Sequence, residues 1–171
     1  LQSHYIEDDE LKTVFSEVQN RVRSMSMLHQ KMYKTKNLNS VNLKEYLDDL
    51  SKNLLDTYQI GQNVDLEVDI SVDRFNADTL TPLGLIINEI FSNSLKYAFP
   101  NGEEGTISVS LHQLEDGRYR LLIGDNGIGF PDDFEGTDDS FGSELIVALT
   151  EQLNGTLKVR KDLNGAFYEL D

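Results

Sequence analysis

Cysteine is absent from the 171 residues of this chain. The chain can therefore form neither a disulfide nor a thiolate metal site, and such a composition fits a reducing compartment, so we expect a cytoplasmic location. Long apolar runs are missing too. No stretch approaches the roughly 20 residues that a membrane-spanning helix needs, and the first residues lack the basic and apolar regions of a signal peptide. We expect no membrane contact by this part of the chain.

Basic residues are scarce, with 15 Lys and Arg against 30 Asp and Glu and a formal net charge of -15. Nucleic-acid binding needs clustered Lys and Arg, so this charge balance disfavours it. An acidic protein can still bind one anionic small molecule if the site supplies local donors, helix N-termini or a divalent cation. The composition therefore leaves a small anionic ligand open.

The length suits one domain of ordinary size with a small helical appendage, and it provides enough apolar residues for a core. The chain begins at Leu1 and stops inside "FYELD", where a strand is predicted. We interpret it as part of a longer protein, for which a membrane anchor stays open. Any membrane or sensor segment then lies outside the residues given.

The first third of the sequence predicts a long helix followed by a second one. Seven side chains recur at alternating steps of four and three residues, which is the spacing of a coiled-coil seam: Leu11, Phe15, Val18, Val22, Met25, His29 and Met32. This stripe should pack against partner helices, and we expect a homodimer through it in the full-length protein. A polar linker leads to a helix over 41–58, where Asn42 and Glu45 form a plausible capping pair.

Beyond Gly61 the pattern changes to that of a sheet with helices. Apolar residues alternate with acidic ones over 64–70, which predicts a strand with one buried face. Two further alternating runs are joined by 115–117 and predict a hairpin; a second hairpin should turn at Asn164 and Gly165. A helix should end at Asn154. The order predicts an α+β fold, a two-layer α/β sandwich preceded by a long helix.

The stretch "LIINEIFSNSLKYAF", residues 85–99, predicts a buried helix that carries polar residues. Thr81 and Pro82 are a reasonable cap and first-turn pair for its start. Glu89, Asn93 and Lys96 are spaced by four and three residues and so share one face. The opposite side is apolar: Ile87, Ile90, Phe91 and Ala98. A solvated surface would explain the polar face less well, since Asn is a poor helix former.

The run "DNGIGF", residues 125–130, directly follows a predicted strand. Gly127 and Gly129 allow the backbone close to a ligand, and Asp125 is a fixed acceptor at the end of the strand. Alone, a loop with two glycines is weak evidence. Together with the polar helix some thirty residues earlier, it is much stronger evidence for a ligand site.

This pair of motifs resembles the N box and first glycine box of the GHKL ATPases, most closely the catalytic domain of sensor histidine kinases. "TPLGLIINEIFSNSLKYAFP", "GTISVSL", "LLIGDNGIGF" and "LIVALTEQLNGTLKV" are similar to the branch that lacks an F box. The resemblance implies a Bergerat-type ATP-binding fold over 37–171. Residues 1–36 are similar to the second half of the dimerisation and phosphoacceptor segment of those kinases.

The resemblance implies residue roles at the phosphate end of an ATP site. Asn93 would ligate a Mg²⁺ ion that bridges the phosphates, and Glu89 would position a water or the metal shell. Lys96 would contact a phosphate. Such a site suits Mg²⁺, which usually meets a protein through one or two side chains and the phosphates of the nucleotide.

At the other end, the resemblance implies that Asp125 accepts the adenine amino proton while Gly127 and Gly129 let the loop close over the base. Residues 131–139, "PDDFEGTDD", would be a mobile ATP lid, and Gly142 would bring backbone amides to the triphosphate. The remaining implied nucleotide contacts are Tyr97, Ile128 and Phe141.

Two departures from the pattern bear on the lid and its phosphate contacts. "SFGSEL" offers only Gly142 where many relatives have more than one glycine, and "NGAFYEL" has Ala166 where a Thr or Ser is common. They leave the expected adenine pocket unaffected.

The implied reaction transfers the ATP γ-phosphoryl group to a histidine and then to a response regulator. His29 lies on the apolar seam and His112 faces outward from a strand, while His4 lacks the basic context of an acceptor. We therefore expect the acceptor upstream of Leu1. Self-phosphorylation of this stretch should then fail.

Two other classes of function stay open. One is a serine kinase of the anti-sigma type, or a hydrolysing relative with the same fold. The long apolar seam disfavours this class. The other is a non-catalytic module that binds nucleotide or only dimerises. Magnesium-dependent ATP binding separates the last class from the other two.

Overall fold

The computed structural model describes residues 9–34, 41–58, 63–72, 74–131, 134 and 140–171. In these residues helices pack on one five-stranded sheet, as the sequence predicts. The helices are α1 (Asp9–Lys34), α2 (Leu43–Tyr58), α3 (Ala77–Asn93) and α4 (Phe141–Gln152). The strands are β1 (Val41–Asn42), β2 (Val64–Ile70), β3 (Arg74–Phe75), β4 (Gly105–Gln113), β5 (Tyr119–Asp125), β6 (Leu157–Val159) and β7 (Ala166–Leu170). None of the helices described is long and apolar enough to cross a membrane.

The strand order in the main sheet is β2-β4-β5-β7-β6, with only β2 and β4 parallel. The predicted strand over 64–70 and both predicted hairpins are confirmed. Register places Asp125 opposite Ile107 on one side and Ala166 on the other. Because paired residues share a face of a sheet, these three side chains form one row. Asp125 thus ends its strand on the face that carries the buried residues Leu121 and Ile123.

Ion pairs fix β7 beside its neighbours on the other face of the sheet. Arg160 bonds the buried carboxylate of Glu169, and Arg120 bonds Asp171 through two contacts of 2.5 and 2.8 Å. The Arg120 guanidinium lowers the pKa of the Asp171 carboxyl. These contacts join β5, β6 and the end of β7, and so hold the strand that carries Ala166 against Asp125.

The core lies between the sheet and helices α2 and α3. The predicted apolar stripe of α2 is fully buried: Leu43, Leu47, Leu50 and Leu54. Tyr46 packs against the backbone of α3 at Gly84, where an added Cβ would lie 3.1 Å from the ring. Burial raises the pKa of the Tyr46 hydroxyl. The predicted Asn42 cap is confirmed, since its side chain accepts a 3.0 Å bond from the Glu45 amide.

The start of α3 differs from the sequence prediction. The helix begins at Ala77 rather than near Thr81, because Asn76 is its N-cap and accepts a 2.8 Å bond from the Thr79 amide. The Thr81 hydroxyl instead donates to the Ala77 carbonyl, as threonines inside helices do. Pro82 therefore lies within the helix and not in its first turn.

The end of α3 also differs from the prediction of a continuous helix to residue 99. Ser94–Ala98 form a π-helical turn, and Pro100–Gly102 form a short 3₁₀ turn. Turns of the π type are frequent at functional sites. The Ala98 carbonyl accepts a 3.0 Å bond from the Ile128 amide, which ties this turn to the loop after β5.

Helix α1 packs on α3 through a face other than the predicted apolar seam. Its buried side chains are Asn20, Ser24 and Leu28. The described seam residues are exposed in the single chain: Phe15, Val18, Val22, Met25 and His29. The side chains of Leu11 and Met32 lie outside the described residues, as does His4. Dimerisation through this stripe stays a prediction.

The sequence does not predict the small β1–β3 pair, which is antiparallel and joins Val41 to Phe75. Strands of two residues are too short to show an alternating pattern. The predicted lid over 131–139 lies outside the described residues apart from Pro131 and Phe134. The boundary predicted between residues 36 and 37 stays a prediction.

Replacing Asn76 by Ala tests the revised start of α3. Loss of the cap should lower the free energy of unfolding by about 1 kcal/mol, measured by urea denaturation. Thr81→Ala is the matched control and should change it by less, because Thr81 is not the cap. A larger loss at Thr81 than at Asn76 would contradict this assignment.

Candidate functional site

A cavity of about 470 Å³ lies between α3 with its π-helical turn, the loop after β5, the start of β7 and the first turn of α4. This size suits a drug-sized ligand or a nucleotide. Asn93 and Asp125, which are distant in the sequence, both line it. The two predicted motifs therefore open into one shared space.

Eight of the ten predicted site residues line the cavity: Asn93, Lys96, Tyr97, Asp125, Ile128, Gly129, Phe141 and Gly142. Gly127 lies just behind it, where an added Cβ would fall 2.2 Å from the Ala98 carbonyl oxygen. Only glycine allows this close approach of the loop to the π-helical turn. Glu89 does not line the cavity and is 3% exposed.

The carboxylate of Asp125 is fixed from two sides. Its Oδ2 accepts a 2.6 Å bond from the Ser94 hydroxyl, and its Oδ1 accepts a 3.0 Å bond from the Gly127 amide. Asp125 and Ser94 are both buried, so these bonds offset the cost of placing a charge there. The carboxylate keeps lone pairs for a ligand, because each oxygen can accept more than one bond.

One wall of the cavity is aromatic. Phe130 stacks on Phe134 with ring centroids 4.7 Å apart and meets Tyr168 edge to face at 5.2 Å. All three rings line the cavity. Together with Asp125 they provide flat apolar surface beside one hydrogen-bond acceptor, which suits a planar base with an exocyclic amino group.

Another part of the cavity lining offers hydrogen-bond donors. Helix α4 begins there, with Ser140 as its N-cap, and Ser140, Gly142 and Ser143 all line the space. A helix N-terminus presents backbone amides and a partial positive charge to an anion. Lys96 lines the same cavity, so one space combines a base-like pocket with an anion-binding end.

The structure adds site residues that sequence reasoning missed. Ser94 directly follows Asn93, but its bond to Asp125 depends on the π-helical turn, which local sequence does not reveal. Arg21 of α1 also lines the cavity. It lies far away in the chain, and only the packing of α1 on α3 brings it there. Ile90, predicted on the apolar side of α3, also reaches the cavity.

Replacing Ser94 by Ala tests how Asp125 is held. The change removes a charge-assisted bond from a buried carboxylate and should lower the free energy of unfolding by about 1.5–3 kcal/mol in urea denaturation. Adding Ala166→Ser, opposite Asp125 on β7, should recover part of the loss. Ser26→Ala, an exposed serine on α1, serves as control. Unchanged stability in Ser94→Ala would contradict a structural role for this bond.

Two family models match the chain. Residues 78–169 match the "Histidine kinase-, DNA gyrase B-, and HSP90-like ATPase" model, and residues 1–58 match a "Histidine kinase" model. The first match covers α3 to β7 and therefore most of the cavity. The second covers α1 and α2.

Curated relatives include Blue-light-activated histidine kinase 2 of Erythrobacter litoralis, 23% identical over 109 residues, which are 62% of this chain and 32% of the relative. The serine-protein kinase RsbW of Listeria innocua is 34% identical over 56 residues, or 33% of this chain and 35% of that protein. The matched parts thus span about a third of the length of these relatives.

Solved structures share the fold. The histidine kinase domain of the blue-light activated histidine kinase EL346 from Erythrobacter litoralis superposes with a TM-score of 0.76 at 20% identity, over 90% of this chain and 72% of that one. The Acinetobacter baumannii histidine kinase AdeS gives 0.62 at 16% identity, over 96% and 85%. Because the first family model matches more than half of the chain, the chain belongs to the histidine kinase-, DNA gyrase B- and HSP90-like ATPase family, and the histidine kinase match of residues 1–58 supports a sensor histidine kinase within it.

Proposed function

We propose that this chain is the ATP-binding catalytic part of a two-component sensor histidine kinase. It transfers the γ-phosphoryl group of ATP to a histidine, from which a response regulator receives it. The observation that carries the proposal is the single cavity lined by both Asn93 and Asp125. An acceptor for the base and an amide for the phosphate end must face one space if one ATP molecule is to use both.

The adenine end of the cavity suits the proposed substrate. Asp125 would accept a bond from the amino group at C6 of adenine, a contact that guanine cannot make because it carries an oxygen there. Phe130 and Tyr168 would cover the flat faces and edges of the base. The Ser94 hydroxyl donates to Asp125, so it keeps the carboxylate turned toward this position.

The phosphate end is supplied by α3 and α4. Lys96 and the first amides of α4 would bind phosphate oxygens, with Ser140 and Ser143 as further donors. Asn93 presents a carboxamide to the cavity, and its oxygen is the hard donor type that Mg²⁺ prefers, so the residues fit this ion. When bound, Mg²⁺ would offset the charge of the phosphates. We propose Glu89 as the residue that positions a water beside it.

In the proposed reaction, a histidine nitrogen attacks the γ-phosphorus of ATP. A nitrogen–phosphorus bond forms, the bond to the bridging oxygen of ADP breaks, and ADP leaves. The contribution of the described residues is to orient the triphosphate and offset its charge. We propose that the acceptor histidine lies outside this chain.

Two substitutions separate the ends of the site. Asp125→Asn should lower ATP affinity about tenfold or more with or without Mg²⁺, because the amide replaces an acceptor that both Ser94 and the base need. Asn93→Ala should instead abolish the gain in affinity that Mg²⁺ produces. Both are measured by calorimetric titration in Mg²⁺ and in EDTA. Asp69→Asn, an exposed carboxylate on β2, is the control.

Equal ATP binding by the wild type and both variants would contradict the proposed site. No ATP binding by any of them would favour a module that only dimerises. Loss of Mg²⁺-independent binding in Asn93→Ala would place Asn93 on the base and not on the metal. Before its affinity is compared, each variant must give the spectrum of the folded wild type.

The serine-protein kinase RsbW matches 56 residues at 34% identity, which makes serine transfer the second candidate. The protein extended upstream of Leu1 should take up phosphate from labelled ATP in a form that is labile in acid and stable in base. That stability is typical of a phosphorus–nitrogen bond. Acid-stable phosphate on a separate protein substrate would favour serine transfer instead.

A further inference from the structure

Helix α1 meets α3 through polar side chains arranged in two adjacent pairs. Arg21 binds Glu89 through two contacts, 2.5 Å from Nε to Oε1 and 2.7 Å from Nη2 to Oε2. Ser24 donates a 2.6 Å bond to the Oδ1 atom of Asn88. The two partners on α3 are consecutive residues, and both are almost fully buried. This contact joins the N-terminal helix directly to the helix that carries Asn93.

Arg21 also reaches the nucleotide cavity. Its guanidinium lies 4.7 Å from the ring centroid of Phe141, the first residue of α4, and the residue lines the cavity. A Cβ added to Gly142 would lie 3.3 Å from Glu89 Oε2 and 3.8 Å from Arg21 Nη2. The pair therefore packs against the first turn of α4, the part of the site that we assign to phosphate binding.

The same contact removes Glu89 from the cavity. Both of its oxygens bond to Arg21, and Oε1 also lies 3.4 Å from the Asn88 amide nitrogen. Glu89 is 3% exposed and does not line the cavity, although Asn93 one turn later does. To position a water beside a nucleotide-bound metal, Glu89 must turn away from Arg21.

We propose that Arg21 is a positioning residue that controls whether Glu89 is available to the nucleotide site. While α1 is docked on α3, Arg21 holds Glu89 outside the cavity. Binding of Mg-ATP to Glu89 then competes with docking of α1. By linkage, each event lowers the equilibrium constant of the other by the same factor. This inference rests on the proposed function, which supplies the metal-bound nucleotide.

The composition of the contact favours a reversible arrangement. Among the described side chains of α1, the buried ones are Asn20, Ser24 and Leu28, of which only Leu28 is apolar. A buried ion pair adds little net stability, since desolvation offsets most of its Coulomb attraction. Among these side chains of α1, movement away from α3 would therefore expose only Leu28 as apolar surface, and water or a ligand would replace the polar contacts.

Nucleotide titration of Arg21→Gln tests the proposal. The variant keeps a polar side chain but loses the charged fork, so Glu89 is released and the gain in ATP affinity that Mg²⁺ produces should rise several-fold. Affinity for ATP in EDTA should not rise, because without a cation a released Glu89 brings negative charge toward the phosphates. Arg21→Lys keeps the charge but not the forked guanidinium, so its gain in ATP affinity from Mg²⁺ should lie between those of the wild type and Arg21→Gln. Arg23→Gln, an exposed arginine on the same helix, is the matched control.

Ser24→Ala provides a second variant that touches neither Glu89 nor the cavity. It weakens the docking at Asn88 and should shift the Mg²⁺ gain in the same direction by a smaller factor. A reduced gain in Arg21→Gln would mean that Arg21 binds the nucleotide itself, and an unchanged gain would mean that it only packs. Either result would overturn the proposal.

Docking is also measured without nucleotide. The chain has no cysteine, so Arg23→Cys and Lys52→Cys allow two spin labels to report the separation of α1 and α2. The distance distribution should broaden when Arg21→Gln is added and when Mg-ATP binds to the otherwise unchanged protein. No effect of Arg21→Gln would overturn the docking role. If Arg21→Gln broadens the distance distribution but the protein binds no ATP, the proposed function is rejected and the docking role of Arg21 is retained.

Discussion

Burial of α3 on nearly all sides is the constraint on which the rest of the structure depends. From Pro82 to Ser92 every residue of this helix is buried, although three of them carry polar side chains. A buried polar group is costly unless it is bonded, so each requires a hydrogen-bond partner. Asn88 and Glu89 find theirs on α1. Asn93, at the end of the helix, faces the cavity instead. The polar residues of this core helix thus mark the places where other elements or a ligand meet it.

The π-helical turn explains how the two sequence motifs become one site. It places Ser94 against Asp125 and turns the Ala98 carbonyl toward the loop, where the Ile128 amide binds it. Gly127 packs against the same carbonyl, so any side chain there would separate the two segments. The helix end and the loop after β5 are therefore joined directly by these contacts, which bring Asn93 and Asp125 to the same cavity.

Local patterns predicted the fold and the polar face of α3, and the resemblance to the GHKL ATPases added the other predicted residues that line the cavity. Alternation gave the strands, and the helical spacing of Asn93 and Lys96 placed both on one side of α3. The start of α3 was wrong because Thr81 and Pro82 imitate a cap that Asn76 in fact provides. Arg21 could not be predicted, since its position depends on how α1 packs, and the apolar seam drew attention to the other face of that helix. Glu89 lies on the polar face of α3 as its helical spacing predicts, but the spacing does not reveal that Arg21 of α1 is its partner.

The acidic composition and an anionic ligand are compatible because charge is distributed unevenly. On β2 the carboxylates Asp65, Glu67 and Asp69 are exposed, where water screens them, and this strand lies at the edge of the sheet, two strands from β5. Inside, the charge of Glu89 is offset by Arg21, and the cavity also holds Lys96 and the N-terminus of α4. If Glu89 turned toward the phosphates without a bridging cation, it would bring a negative charge to negative oxygens. In the proposed function a metal-bound nucleotide would remove that repulsion, so the ion that we propose at the phosphates would also determine when Glu89 can leave Arg21.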